Sequence, residues 1–234
     1  MRHGRGVVRP GPATTGGEMP RKSPRGRADG EETRRRILDA TLAIATAHGY
    51  DGTSISQIRK ATGVPASSIY WHFRDKDDLL AEALTHGFAT WRAQTRPDDY
   101  PVGAVWAEPD RVEQAVRARL RWSAQAMAES PAFWRLGIML AITSRVPEPT
   151  ARRRYLEVRR DIQHELADWW RPMMPHAAAH GRDLPLRLAR VHLALIDGLF
   201  VGKLTGRGWD VERCAEVIGD GLLAFLRDVE AEAA

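Results

Sequence analysis

The sequence predicts an all-α protein, with a small N-terminal helix-turn-helix domain followed by a larger helical bundle. Three observations lead there. Apolar residues recur at helical spacing from Ile37 to the C-terminus, and no period-two run is long enough to suggest a sheet. Gly63 can take the left-handed conformation that ends a helix, and Pro65 suits the first turn of a new one, so one short helix closes and another opens within a few residues. The last two apolar segments carry more hydrophobic surface than one domain can cover.

Composition narrows the class. With 234 residues and 43% hydrophobic content, the chain can bury a sizeable core. Its longest strongly apolar stretch, Leu136 to Ile142, is far below the roughly 18 residues of a membrane span, so no membrane partner is expected. Met1 to Ala28 has no apolar core segment and does not read as a secretory signal. A single cysteine, Cys214, cannot form an internal disulfide, so a reducing compartment and a cytoplasmic location are the simplest expectation. The net charge is +5, and residues 1–36 hold ten Arg or Lys against four Asp or Glu, which places the basic character at the N-terminus.

In chain order, residues 1–28 are rich in Gly, Pro and Arg and are expected to be a disordered basic arm, either following a DNA backbone or simply solvated. Thr33 to His48 reads as a helix with Ile37, Ala40, Thr41 and Ile44 on one face and Gly49 closing it. Arg34, Arg35 and Arg36 occupy its first turn, where the helix dipole disfavours cations; phosphate contact and an ordinary solvated face both account for them. Thr53 and Ser54 are N-cap residues ahead of Ile55 and Ile58. After Pro65, Ile69 and Phe73 form one narrow buried edge, which turns Ala66, Ser67, Ser68, Tyr70, Trp71 and His72 elsewhere. Small hydroxyls, two aromatics and an imidazole suit phosphates and base edges. Asp75 caps a fourth helix from Lys76 to about Trp91, with Leu79, Leu80, Ala83, Leu84 and Phe88 apolar.

The stretch Thr95 to Pro109 contains three prolines and reads as a linker, so the domains are placed at 29–92 and 93–234. Beyond it, Arg111 to Ala128 carries a stripe of Val112, Val116, Leu120, Ser123 and Met127. A helix from Pro131 to Ser144 is apolar on nearly every side and is expected in the middle of the bundle. Thr150 to Trp170 should turn Tyr155, Val158, Ile162, Leu166 and Trp169 inward, with Arg152, Arg153, Arg154, Arg159 and Arg160 outward. The last two helices, at 184–204 and 210–230, are separated by the Gly206 to Gly208 breaker, and one side of the final helix can pack on a copy of itself.

From Ile37 to Leu80, about a fifth of the chain, the sequence resembles the N-terminal domain of TetR-family transcriptional regulators. The positions carrying the resemblance are Ile37, Leu38 and Ala40; Gly49 and Tyr50; Thr53 and Ser54; Ile58, Gly63 and Val64; Tyr70, His72 and Phe73; and Lys76 and Leu79. Ala45, Arg59 and Thr62 depart from the usual pattern. The resemblance implies a DNA-binding regulator, commonly a repressor, and places a phosphate-binding lysine at Lys76. Ser67, Ser68 and Trp71, with Ala66, are the candidates for base edges; Thr53, Tyr70, His72 and Lys76, with Arg34 and Ser54 beside them, are the candidates for the DNA backbone.

It also implies a double-stranded operator built as an inverted repeat, a homodimer through the helices at 184–204 and 210–230, and a small-molecule effector enclosed by the helical domain. Trp106, Trp122, Met127, Trp134, Met139, Trp169 and Trp170 are the candidate pocket residues, a set suited to a largely apolar ligand. Asp161, Gln163 and His164 are candidates for orienting it. The competing reading for each tryptophan is ordinary core, and the competing function is a helical ligand- or protein-binding module that has lost DNA binding. No Gly-rich phosphate loop, nucleophile elbow or metal signature occurs, so no catalytic residue, metal or cofactor is expected. His176 and His180 are four apart but read as a surface pair.

Overall fold

The computed structural model describes residues 24–95, 109–129, 131–143, 149–179, 183–206 and 208–233. Among them every regular element is a helix. They are α1 (Pro24–His48), α2 (Ile55–Thr62), α3 (Ala66–His72), α4 (Lys76–Thr95), α5 (Pro109–Glu129), α6 (Pro131–Ile142), α7 (Thr150–Trp170), α8 (Pro175–Ala179), α9 (Leu184–Thr205) and α10 (Val211–Ala233), with a 3-10 turn at Arg171–Met173.

A small core holds the N-terminal helices together, formed by Ile37 and Leu38 of α1, Ile58 of α2, Val64, Ile69 and Phe73 around α3, and Leu79 and Ala83 of α4. A larger core joins α5, α6, α7, α9 and α10 and also takes in Ala45 from α1 and Leu80 and Leu84 from α4. Consecutive apolar residues such as Leu79 and Leu80 point to different sides of a helix, so α4 belongs to both cores at once. It packs on α1 and on α7. The helix-turn-helix domain is therefore continuous with the bundle through α4. Asp77 reinforces the joint, because its carboxylate accepts the backbone N–H groups of Thr150 at 2.6 Å and Ala151 at 3.2 Å and so caps α7 from the start of α4.

Three expectations are corrected. Helix α1 begins at Pro24, nine residues before Thr33, so the last part of the expected arm is helical; residues 1–23 lie outside the described residues, as does most of the expected linker. Helix α6 is not enclosed all round, since Ile142 is 78% exposed and Met139 is also exposed. Its inner side packs on α1, α4 and α7. Arg159 does not face out with its neighbours: its guanidinium turns inward to Asp197 of α9 at 2.6 Å and donates to the Tyr155 hydroxyl at 3.3 Å. The indole of Trp134 donates to the same carboxylate at 2.9 Å, so the one charged residue of the apolar stretch from Val191 to Gly202 is satisfied twice.

Candidate nucleic-acid interface and helical-domain cavity

The interface is built from the α2–α3 turn. Ser54 is extended at φ −137° and forms a capping box, its hydroxyl accepting from Gln57 N–H at 3.3 Å while Gln57 Oε1 accepts from Ser54 N–H at 2.8 Å. Gly63 ends α2 at φ 71°, a conformation that disfavours any side chain, and its N–H reaches the Arg59 carbonyl at 2.9 Å. The Pro65 carbonyl then accepts from Ser68 and Ile69 and starts α3. Ile69 and Phe73 are buried, which pins one side of α3 and presents the other.

On that other side the candidates differ in exposure. Tyr70 is 55% and Trp71 66% exposed, so neither packs against the next helix. Ser67 is exposed, and Ala66, Ser68 and His72 are half-buried. The Trp71 and His72 rings meet edge to face at 4.6 Å. A seven-residue helix showing hydroxyls and aromatics to solvent is costly to leave unused, because each exposed ring forfeits burial.

The flanking candidates have been put to other use. Thr53 is 1% exposed and its hydroxyl donates to the Gly49 carbonyl at 2.8 Å, so it closes the α1–α2 turn and cannot grip phosphate as expected. Lys76 donates to the Tyr50 carbonyl at 3.1 Å and lies over the Tyr50 ring, which fastens the start of α4 to that turn. Arg34 pairs with Glu82 of α4 at 2.7 Å and lies over the Phe73 ring. Two cations overlooked in the sequence stand nearer the turn, Arg59 and Lys60, exposed in the last turn of α2; Arg36, already noted as a phosphate-contact candidate, reaches the Thr62 carbonyl at 2.6 Å. The signal was available, since exposed cations directly ahead of a turn and a groove-sized helix are a phosphate-contact pattern.

In the bundle, α4, α5, α7 and α9 line a half-open pocket of about 430 Å³, with Trp134 of α6 contributing to its wall. Of the expected pocket residues, Trp122, Met127, Trp134 and Trp169 line it. Trp170 is fully buried behind the wall, packed on Trp169 and His192. Met139 is exposed beside Gly49, where a methyl group added to that glycine would sit 3.3 Å from its Cε, and it does not line the cavity. Trp106 is outside the described residues. Asp161, Gln163 and His164 do not line the cavity, and Asp161 and His164 are exposed.

The sequence reading missed Phe88 and Trp91 on α4, Arg119 on α5, and His192 and Ile196 on α9. Arg119 lies over the Trp122 and Trp169 rings, at 5.0 and 5.5 Å from their centroids. Burial pulls its guanidinium down to about 10, against the raising influence of Glu165, so it remains a cation at neutral pH. His192 is buried, and burial first, then the Arg119 charge, lowers it to about 3, leaving a neutral imidazole. Its Nδ1 has no hydrogen-bond partner. Glu165 is held by Arg92 at 2.6 Å.

Residues 37–83 match the family described as bacterial regulatory proteins, tetR family. The chain is 46% identical over 54 residues to the HTH-type transcriptional regulator AcrR of Shigella flexneri, covering 23% of this chain and 25% of that protein, so it spans about a quarter of that relative's length. A longer similarity, 30% identity over 196 residues, runs through 76% of this chain and 83% of the HTH-type transcriptional regulator BetI of Cronobacter sakazakii. The crystal structure of the multidrug binding protein EbrR complexed with imidazole shares the fold, with a TM-score of 0.56 at 23% identity, covering 89% of this chain and 97% of that one.

Proposed function

The chain belongs to the tetR family of bacterial regulatory proteins, and from that premise we propose that it is a homodimeric, sequence-specific DNA-binding transcriptional regulator acting as a repressor. A small, largely apolar ligand in the bundle cavity releases it from an inverted-repeat operator. The observation that carries this reading is the exposed side of α3, where Ser67, Tyr70 and Trp71 face solvent on a helix short enough to lie in a major groove.

Dimerisation is supported by α9 and α10. Val191, Leu195 and Val201 recur along the outside of α9, and Val217 and Phe225 along α10, all exposed in the single chain. Gly198 and Gly221 lie among them with open space where a side chain would be, which lets two such helix pairs approach closely. Two readers on a two-fold axis meet grooves about one helical turn, roughly 34 Å, apart. A ligand then acts to the extent that it prefers a dimer whose readers no longer match that spacing. The route is short, because α4 lines the cavity with Phe88 and Trp91 and carries the reader's core at Leu79 and Ala83.

Gel-shift titration with the DNA flanking the protein's own gene, across a salt series, tests the proposal. A sequence-selective shift that weakens steeply with salt is expected. Binding that is absent, or equal for every sequence, would leave only a helical ligand-binding module.

A further inference from the structure

The charge arrangement of the bundle cavity says more about its occupant than its apolar walls do. We propose that the ligand is an apolar acid, a hydrocarbon or aromatic body bearing one carboxylate, with the carboxylate set against Arg119 and His192. The inference deepens the regulator reading and rests on it only for the effect on DNA.

Two anions and two cations face the cavity, and they are not equivalent. Glu165 is held by Arg92. Asp168 is exposed and lies beside Arg171 at 3.5 Å, so it is largely screened by solvent. Arg119 differs from both, because it is sandwiched in the aromatic wall, where water is scarce and its charge is felt strongly. A cage of tryptophans would ordinarily attract a cationic ligand. Here Arg119 already lies against the Trp122 and Trp169 rings, so an incoming cation would meet a like charge at the site it needs.

His192 adds the second half of the argument. Its Nδ1 is buried in the cavity wall without a hydrogen-bond partner, an arrangement that native interiors rarely leave unused. Because the ring is neutral, its N–H can donate to a ligand oxygen without adding charge. A guanidinium and a neutral imidazole N–H together offer a carboxylate what an alcohol, ester or amine cannot fully use. Phe88, Trp91, Leu193 and Ile196 leave the remainder of the site suited to hydrocarbon or ring surface.

Calorimetric titration of the full chain with two matched probe sets provides the test: decanoate, methyl decanoate and decyltrimethylammonium; and naphthalene-2-carboxylate, its methyl ester and a naphthylmethyl trimethylammonium salt. In at least one set the acid should bind about tenfold or more tighter than its ester, and the ammonium more weakly than both. Arg119→Met should abolish the acid's advantage while leaving the ester's affinity, and Arg119→Lys should keep part of it. If Arg119→Met does not fold, the wild-type ranking still decides. Equal or tighter binding of the ester or ammonium, or no binding by any probe, overturns the inference. A protein that prefers the acids yet shifts no DNA would sink the regulator reading alone; one that shifts DNA but ignores the carboxylate would sink only this one.

Discussion

Replacing Asp77 tests the joint between the reader and the cavity-lining helices. Its carboxylate accepts two backbone N–H groups at the start of α7, at 2.6 and 3.2 Å, from a position in the first turn of α4. Losing a cap costs about 0.5–2 kcal/mol, and a charged acceptor in a half-buried position lies at the upper end. Asp77→Ala should therefore destabilise by about 2 kcal/mol, lowering Tm by about 4–8 °C for a chain of this size. Asp77→Asn, which keeps an acceptor but not the charge, should lose about half of that.

The pH dependence carries a definite sign. Burial alone would raise the carboxyl, but hydrogen bonds from Thr150, Ala151 and Tyr50 outweigh it and hold Asp77 below the usual carboxylate value. A depressed folded pKa means that its stabilisation is complete above the unfolded value, about 3.9, and is lost as pH falls through the folded value. Melting curves at fixed protein concentration should show the gap between wild type and Asp77→Ala constant at neutral pH and closing below about pH 4. An Asp77→Ala protein that melts within a degree of wild type, or a gap unchanged at pH 3, would refute the reasoning.

Tyr70→Ala and Trp71→Ala should weaken DNA binding at least tenfold while leaving Tm within about 1 °C, because both rings are exposed; a large loss of stability would show that they are packed. Ser67→Ala should change the ranking of operator sequences, whereas Tyr70→Phe should weaken all of them alike, as read by competition binding. Phe225→Glu together with Val217→Arg should turn the dimer into a folded monomer in sedimentation experiments; an unchanged mass would rule out the α9–α10 interface. Asp197→Ala should cost about 3 kcal/mol in denaturant unfolding, since it strands both Arg159 and the Trp134 indole.

What could be read from the sequence depended on whether local chemistry or a distant neighbour decides each residue's position. The α2–α3 turn was legible at its glycine and proline, because Gly63 and Pro65 act within their own turn. Ile69 and Phe73 then settled the exposed side of α3 by spacing alone. Thr53 was not legible: two adjacent hydroxyls precede α2, and only the fold shows that Ser54 caps while Thr53 is turned under to Gly49. The start of α1 was hidden because Pro24 to Gly30 carries no apolar period to announce it.

The cavity was half legible for the same reason. Tryptophans on α5 and α7 stood out as surplus aromatic surface, but Phe88 and Trp91 read as an ordinary helix face. Among the arginines of α7, Arg159 is distinguished by Asp197, a partner 38 positions away, and Arg119 of α5 lies over Trp122 of its own helix and over Trp169 of α7, the second ring being a tertiary partner. Charge runs look solvated until the tertiary partner is known.

The central claim is that a short helix held by Ile69 and Phe73 reads DNA from a two-fold dimer. In-vitro selection from random duplexes, with the full-length protein, addresses it most directly. Enrichment of an inverted repeat whose half-site centres lie about one helical turn apart is the predicted result. Recovery of no sequence, or of a single half-site without its inverted copy, would contradict it.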